Sequence, residues 1–286
     1  MITFPIAKIN LGLNIVEKRS DGYHNLETVF YPLPIHDAIE IHEMDNGFPS
    51  SVNCDLKVSN MAIDGDEQKN LVVKAYNLMA ERFALPRLHV HLHKAIPSQA
   101  GLGGGSSDAA YMLTMLNREY RLGLQDEELI HLAKRLGADC PFFVNPQPSY
   151  ATGIGELLTP ITLDLSSYHI VVIKPNIAVS TAEAFRNIVP KAPKKRCADI
   201  VRQPVETWRT ELLNDFESSI FVQHSELRRI KEMLYGTGAL YASMSGSGSS
   251  IYGIYQEKPL EEDLRQASEK ASLSSCIQTT IVAKLS

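Results

Sequence analysis

The sequence has few of the residues and runs that mark several protein classes. Its 286 residues include one tryptophan and four cysteines, and no apolar run approaches the length that spans a membrane. The cysteines lack the close spacing of zinc and redox motifs, so we expect reduced thiols. The N-terminus also lacks the basic start and apolar core of a secretion signal. These absences predict a cytoplasmic protein without a membrane partner.

An excess of positive charge is absent as well. Lysine and arginine number 28 against 33 aspartates and glutamates, which gives a net charge of −5. That balance provides no general attraction to nucleic acid. The one basic cluster, residues 191–196, lies among prolines and is expected to be a solvated loop. We therefore expect a small-molecule partner and no nucleic acid.

A glycine-rich stretch opens directly onto a predicted helix. Four of the five residues at positions 101–105 are glycine, and Ser106 and Ser107 follow. The free N–H groups and the dipole of a helix start favour a bound phosphate, and glycines let the backbone come close to it. An ordinary capped helix, the alternative, needs only one turn residue. No P-loop lysine is present, so the charge of a phosphate must be compensated from elsewhere.

Two polar features lie near the N-terminus. Residues 4–16 alternate between apolar and polar side chains, which predicts a strand with Lys8 and Asn10 on one face. An Asp-Gly turn then presents Tyr23 and His24 together. These two rings could stack on a nucleobase and bond its edge, or they could pack against the next strand.

Further along the chain, Asp139 follows a predicted helix at residues 126–136 and stands between a glycine and a proline. We expect a helix-to-strand joint there, with Asp139 as either a functional carboxylate or a turn-former. His89, His91 and His93 share one predicted strand face, for which solvent exposure is favoured over metal binding. The second half predicts an antiparallel sheet backed by helices. Its Gly/Ser loop at 245–248 could be a simple hairpin turn.

These separate motifs together resemble the GHMP family of small-molecule kinases over nearly the whole chain. The motifs are Lys8 with Asn10, the loop at 101–107, Gly-Ala-Asp at 137–139 and Ser-Gly-Ser-Gly at 245–248. The resemblance implies an α+β fold of two domains. Residues 1–160 would form a ribosomal protein S5 domain 2-like domain that carries the ATP phosphate loop. Residues 161–286 would form a ferredoxin-like α/β sandwich that completes the substrate cleft.

The turn carrying Tyr23 and His24 makes the resemblance more specific within the family, because most of its members bind no cytosine. It implies a kinase of the non-mevalonate isoprenoid pathway, which phosphorylates the 2-hydroxyl of a cytidine-diphosphate-linked methylerythritol. ATP would be the phosphoryl donor, with Mg²⁺. Asp139 would be the general base, and Lys8 would orient the hydroxyl and stabilise charge.

The resemblance also assigns the binding residues. In the substrate site, Tyr23 and Phe185 would enclose the cytosine while His24 bonds its edge. Asn10 and Thr181 would contact the rest of the substrate. Ser107 would also ligate Mg²⁺. The ATP site would comprise Pro97, Gly101, Leu102, Gly103, Gly104, Gly105, Ser106 and Ser107.

Three other functions fit parts of the sequence. Another kinase of the same family, acting on an alcohol without cytidine, would share the loops. A catalytically inactive nucleotide- or RNA-binding module is disfavoured by the net negative charge and by the presence of both Lys8 and Asp139. A dinucleotide-binding oxidoreductase is disfavoured because the loop lacks the last glycine of G-x-G-x-x-G.

Overall fold

The structure is a computed structural model that describes residues 1–45, 47–61, 65–186 and 188–285. Its strands are β1 (Ile2–Thr3), β2 (Ile6–Lys18), β3 (His24–His36), β4 (Ala38–Glu43), β5 (Cys54–Ser59), β6 (Leu88–His93), β7 (Ser149–Thr152), β8 (Leu157–Pro160), β9 (His169–Pro175), β10 (Tyr241–Met244), β11 (Ile251–Tyr255) and β12 (Ile277–Lys284). Its α-helices are α1 (Leu71–Ala80), α2 (Gly104–Glu119), α3 (Asp126–Leu136), α4 (Thr181–Phe185), α5 (Cys197–Ile200), α6 (Trp208–Glu211), α7 (Glu217–Gln223), α8 (Ser225–Gly236) and α9 (Glu261–Lys270). Short 3₁₀ helices span Glu67–Lys69, Cys140–Phe143 and Val205–Thr207. Within the described ranges, no helix has both the length and the apolar character needed to cross a membrane.

The chain divides into two compact units. Unit 1 contains Met1–Ala7, Ile35–Ser98 and Gly103–Pro146. Unit 2 contains Lys8–Pro34, Gln99–Leu102 and the chain from Gln147 onward. Segments distant in sequence therefore fold together in each unit.

Unit 1 is a sheet covered by helices. The strand order is β1-β4-β6-β5, antiparallel except for the parallel pair β5 and β6. The apolar side chains of β4, β5 and β6 form one buried core with those of α1, α2 and α3. Burial of these alternating strand residues and helical stripes is the main stabilisation of the unit.

The helices of unit 1 start in different ways. The side chain of Asn70 caps α1 by accepting a hydrogen bond from Val72 N at 2.9 Å. Gln125 and Glu128 form a capping box at the start of α3, whose bounds confirm the predicted helix. The start of α2 has no side-chain cap among the described residues. At the start of α2, unlike those of α1 and α3, no described side chain accepts a hydrogen bond from the first backbone N–H groups.

The predicted strand after Asp139 is wrong. The chain forms the 3₁₀ helix Cys140–Phe143, with Pro141 in its first turn. Proline cannot donate to a strand ladder, but it fits the first turn of a helix, where the N–H has no partner to lose. Asp139 therefore precedes a short buried helix.

Unit 2 contains two four-stranded sheets. One has the order β10-β11-β9-β12 and is antiparallel throughout, and it shares a core with α7, α8 and α9. This arrangement confirms the antiparallel sheet and helices predicted for the second half. The other sheet has the order β2-β3-β7-β8 and is formed by two long strands of 13 residues with two short ones. Strand β2 carries Lys8 and Asn10.

Candidate functional site

In unit 1, the start of α2 presents backbone N–H groups without helical partners. Gly103 precedes the helix with a φ of 71°, a conformation that favours glycine. The first helical hydrogen bond runs from Ser107 N to Gly103 O at 2.8 Å. The N–H groups of Gly104, Gly105 and Ser106 come before it and so have no acceptor within the helix. This end of α2 has the donors and the dipole that an anion requires.

The Ser107 hydroxyl is an unusual group at this helix end. The residue is completely buried, and its Oγ has no hydrogen-bond partner among the described residues. Buried hydroxyls are normally bonded, so an unpaired one is a candidate contact for a bound oxygen or cation. Across the described part of the chain, no group of three or more His, Cys, Asp or Glu side chains is arranged to hold a metal ion.

A buried ionic cluster lies within the same unit, and sequence reasoning missed it. The Lys94 ammonium pairs with the carboxylates of Asp37 and Asp108, and its Nζ lies 2.8 Å from Asp108 Oδ2. Burial raises the pKa of Asp108 to about 7, and the Lys94 ammonium opposes that rise. The available signal was a lysine at the end of a strand shortly before the glycine-rich stretch.

Asp139, also in unit 1, is half-buried at the start of the 3₁₀ helix Cys140–Phe143. Its backbone carbonyl accepts a hydrogen bond from Phe142 N at 3.2 Å. Burial raises the pKa of the neighbouring Cys140 thiol to about 12, so that thiol stays protonated at neutral pH. The Cys140 thiol therefore adds no negative charge beside Asp139.

In unit 2, Lys8 and the Gly/Ser loop at 245–248 meet at Gly101. The Lys8 ammonium donates to Asn10 Oδ1 at 2.6 Å and to Gly101 O at 3.1 Å. The Ser245 hydroxyl donates to the same carbonyl at 2.8 Å, and it accepts from Asn10 N at 3.2 Å. The structure thus confirms that Lys8 and Asn10 share one face of β2. It also brings both residues together with the Gly/Ser loop.

The close packing around Gly101 depends on glycine. Its φ is 74°, and a Cβ built there would lie 1.9 Å from Ser245 O. Asn214, a second residue that sequence reasoning missed, supports the other side of the Gly/Ser loop. Its Nδ2 donates to Met244 O at 2.8 Å and to Gly246 O at 2.9 Å. These hydrogen bonds therefore fix the carbonyls of Met244 and Gly246, and with them the loop at 245–248.

The predicted base-binding residues lie on a turn and a helix of unit 2. The turn before β3 is closed by a hydrogen bond from Arg19 N to Tyr23 O at 2.8 Å, and it leaves the Tyr23 ring 60% exposed. The His24 ring stacks on Phe185, with centroids 4.8 Å apart and an interplanar angle of 19°. The structure therefore brings His24 and Phe185 together. It places Tyr23, the neighbour of His24 in sequence, on the surface.

Polar contacts hold the start and the middle of helix α4, which carries Phe185. Ser180 caps it by accepting a hydrogen bond from Glu183 N at 3.0 Å. Glu183 in turn lies 2.9 Å from His224, and this hydrogen bond holds the pKa of the carboxyl below its usual range. Thr181 is exposed at the first position of the helix. This short helix is thus fixed by polar contacts at its start and at its middle residue.

The other sequence features have ordinary surroundings. His89 pairs with Asp55 at 3.1 Å on the outer face of β6. His91 and His93 both lie within hydrogen-bond distance of Ser59. In the basic stretch at 191–196, the lysine and arginine side chains at 195 and 196 pair with nearby acidic residues. The thiols of Cys54, Cys140, Cys197 and Cys276 are all free.

Comparison with known families identifies both halves of the chain. The family model described as the GHMP kinases N terminal domain matches residues 70–146. The model described as GHMP kinases C terminal matches residues 198–273. The first match includes α2 and Asp139, and the second includes the loop at 245–248.

Individual relatives cover nearly the whole chain. A Bacteroides fragilis protein named 4-diphosphocytidyl-2-C-methyl-D-erythritol kinase is 48% identical over 281 residues, which are 98% of this chain and 100% of that protein. The protein of the same name in Bacteroides thetaiotaomicron is 52% identical over 260 residues, covering 90% of this chain and 92% of its own. A crystal structure of 4-(cytidine 5'-diphospho)-2C-methyl-D-erythritol kinase matches with a TM-score of 0.79 at 30% identity, covering 99% and 98% of the two chains. A homoserine kinase from Cytophaga hutchinsonii, 17% identical with a TM-score of 0.65 over 98% and 94%, shares the fold.

Proposed function

This chain belongs to the GHMP kinase family and is a small-molecule kinase, and we propose that it transfers the γ-phosphoryl group of ATP to 4-diphosphocytidyl-2-C-methyl-D-erythritol. The acceptor would be the 2-hydroxyl, in the non-mevalonate isoprenoid pathway. The observation that carries the proposal is the stacking of His24 on Phe185 within unit 2. Two aromatic groups from distant parts of the chain meet there, and they supply a ring face for stacking and an imidazole for hydrogen bonding, both of which suit a nucleobase. The names of the full-length relatives support the same substrate.

The ATP phosphates are proposed to bind at the start of α2. Backbone N–H groups of Gly104, Gly105 and Ser106 supply donors, and the helix dipole adds a favourable field. Pro97 and residues 101–103 would complete the loop. Stabilisation by fixed backbone donors suits phosphoryl transfer, in which most of the catalysis is positioning and charge compensation.

Mg²⁺ fits this end of the helix. The Ser107 Oγ is a buried hydroxyl oxygen without a partner among the described residues, and Mg²⁺ prefers oxygen ligands. Ser107 would hold the ion together with oxygens of ATP, because Mg²⁺ sites commonly use few protein ligands and the substrate's phosphates. When bound, the ion would neutralise charge on the phosphates.

The proposed chemistry assigns a proton acceptor and a cation. Asp139 accepts the proton of the 2-hydroxyl as that oxygen forms a bond to the γ-phosphorus. The bond from the γ-phosphorus to the bridging oxygen of ADP breaks in the same step. Lys8 contributes positive charge and a donor that orients the hydroxyl, and its hydrogen bond to Asn10 supports its position. Asn10 binds the substrate alongside it.

The cytidine end of the substrate is assigned to the aromatic residues. Phe185 and Tyr23 would enclose the cytosine, with the base taking the place of the His24 ring against Phe185 and the His24 imidazole bonding the edge of the base. The exposed Tyr23 ring is available to cover a base from solvent. Thr181, exposed at the start of α4, would contact the same substrate.

The proposed domain boundary is at residue 160, between domains at 1–160 and 161–286. The two family-model matches, at 70–146 and 198–273, lie on either side of it.

A panel of acceptors tests the proposed function. ADP release should be measured with 4-diphosphocytidyl-2-C-methyl-D-erythritol, mevalonate and homoserine in parallel. We expect kcat/KM for the first alcohol to exceed the others by at least about a hundredfold, because only it can use the aromatic contacts. Equal or faster turnover of mevalonate or homoserine would assign the chain to another activity of the family.

A further inference from the structure

Lys94 connects three elements of unit 1 through one buried ammonium group. The residue follows β6, and only 2% of its surface is exposed. Its Nζ pairs with Asp37, which precedes β4, and with Asp108, the fifth residue of α2. The other oxygen of Asp37 accepts hydrogen bonds from Ala95 N at 2.6 Å and Ile96 N at 2.8 Å. The cluster therefore fixes the chain that leaves β6 toward the glycine-rich stretch.

The same ammonium lies directly against the start of α2. A Cβ built on Gly104 would lie 3.3 Å from Lys94 Nζ and 2.9 Å from Ile96 Cγ2. Gly104 is the first residue of the helix, and its N–H is one of the donors without a helical partner. A side chain at this position would press on Ile96 and on the ammonium, so glycine lets both lie close to the helix start.

The charges of Asp37, Lys94 and Asp108 affect how well an anion can bind at the start of α2. Asp108 is the fifth residue of α2, just past its first turn, and a carboxylate this near the helix start opposes a bound anion by direct repulsion. Asp37 adds a second carboxylate, and both are almost fully buried, so solvent screens them little. The Lys94 ammonium lies between the two carboxylates and offsets their charge. Removing that ammonium alone would leave uncompensated negative charge beneath the N–H donors.

We propose that Lys94 is a positioning residue of the ATP phosphate site, which it supports from beneath the helix start without contacting the phosphates. Its ion pairs hold α2, through Asp108, against the end of β6, and its positive charge reduces the repulsion between the two carboxylates and a bound polyphosphate. The proposal rests on the proposed function in one respect, that ATP binds at this helix end.

The test is the affinity of Lys94→Met for ATP and for adenosine, measured by calorimetry on the full chain. We expect the affinity for ATP to fall by at least about tenfold while the affinity for adenosine changes by less than about twofold. A purely structural loss would change both affinities together. Lys57→Met, the same substitution at an exposed lysine on β5, is the matched control and should change neither.

A second variant covers the case in which Lys94→Met does not fold. Asp108→Asn removes a carboxylate and keeps an oxygen for Lys94, so its preference for ATP over adenosine should equal or exceed that of the wild type. A selective loss of ATP affinity in Asp108→Asn, or an unchanged preference in a folded Lys94→Met, would overturn the role of Lys94. If the wild type itself binds ATP no better than adenosine, the proposed phosphate site fails instead.

Discussion

Asp139 is the single residue on which the proposed chemistry most depends. In Asp139→Asn the amide cannot accept the proton of the attacking hydroxyl, so we expect turnover to fall by at least about a thousandfold. The affinity for ATP should change by less than about twofold, because the phosphates are assigned to backbone donors. ADP release and calorimetry measure the two effects. Full activity in this variant would remove Asp139 as the base.

Tyr23 is the residue that tests the assignment of the cytosine. Loss of one stacking ring should raise the KM for the cytidine substrate about tenfold in Tyr23→Ala and leave the KM for ATP nearly unchanged. Phe48→Ala is the matched control, because Phe48 is also an exposed ring but packs on His89 in unit 1. Steady-state kinetics with each substrate varied in turn give both values. An equal rise in both KM values would rule out a stacking role.

Asp108 gives a prediction for stability against pH. Burial raises its pKa from an ordinary 3.8 to about 7, so the folded protein binds this proton more tightly than the unfolded chain. The resulting stabilisation is present below about pH 4 and is lost as the pH rises toward about 7. Asp108→Asn should lack this loss, which is on the order of 3 kcal/mol. Urea titrations across that range test it, and parallel profiles for the two proteins would contradict it.

The glycine-rich stretch is the element whose conformation can be tested most directly. Gly101 and Gly123 have nearly the same positive φ, 74° and 76°, but only Gly101 has backbone atoms in the space of a Cβ. Gly123→Ala should cost about 1 kcal/mol of unfolding free energy through its φ alone. Gly101→Ala should cost at least about 2 kcal/mol more through the clash with Ser245 O. Equal losses in urea unfolding would show that the approach at Gly101 is not required.

Local patterns explain which elements could be predicted from the sequence. Helix α3 matched its predicted bounds, because its capping residues, apolar spacing and final glycine all lie within one short segment. The prediction of a strand after Asp139 was wrong, because an apolar run can form either a strand or a buried helix. There Pro141 favoured the helix. The pairing of Lys8 with Asn10 followed from strand geometry alone.

At the scale of the whole molecule, the choice of partners could not be predicted. Asp37, Lys94 and Asp108 lie on three separate elements, and no local pattern indicates that they form one cluster. The same holds for His24, whose stacking on Phe185 depends on how unit 2 assembles. Family resemblance supplied the fold class and the order of the motifs. The contacts between distant segments required the structure.

We expect the enzyme to select its alcohol substrate by the attached cytidine. The most direct measurement is kcat/KM for 4-diphosphocytidyl-2-C-methyl-D-erythritol against the same methylerythritol phosphate without its cytidylyl group. Both compounds carry the same acceptor hydroxyl, so only the nucleotide contacts differ. We predict a fall of at least about a hundredfold on losing the cytidylyl group. Equal kcat/KM values for the two alcohols would show that the enzyme does not recognise the cytidine.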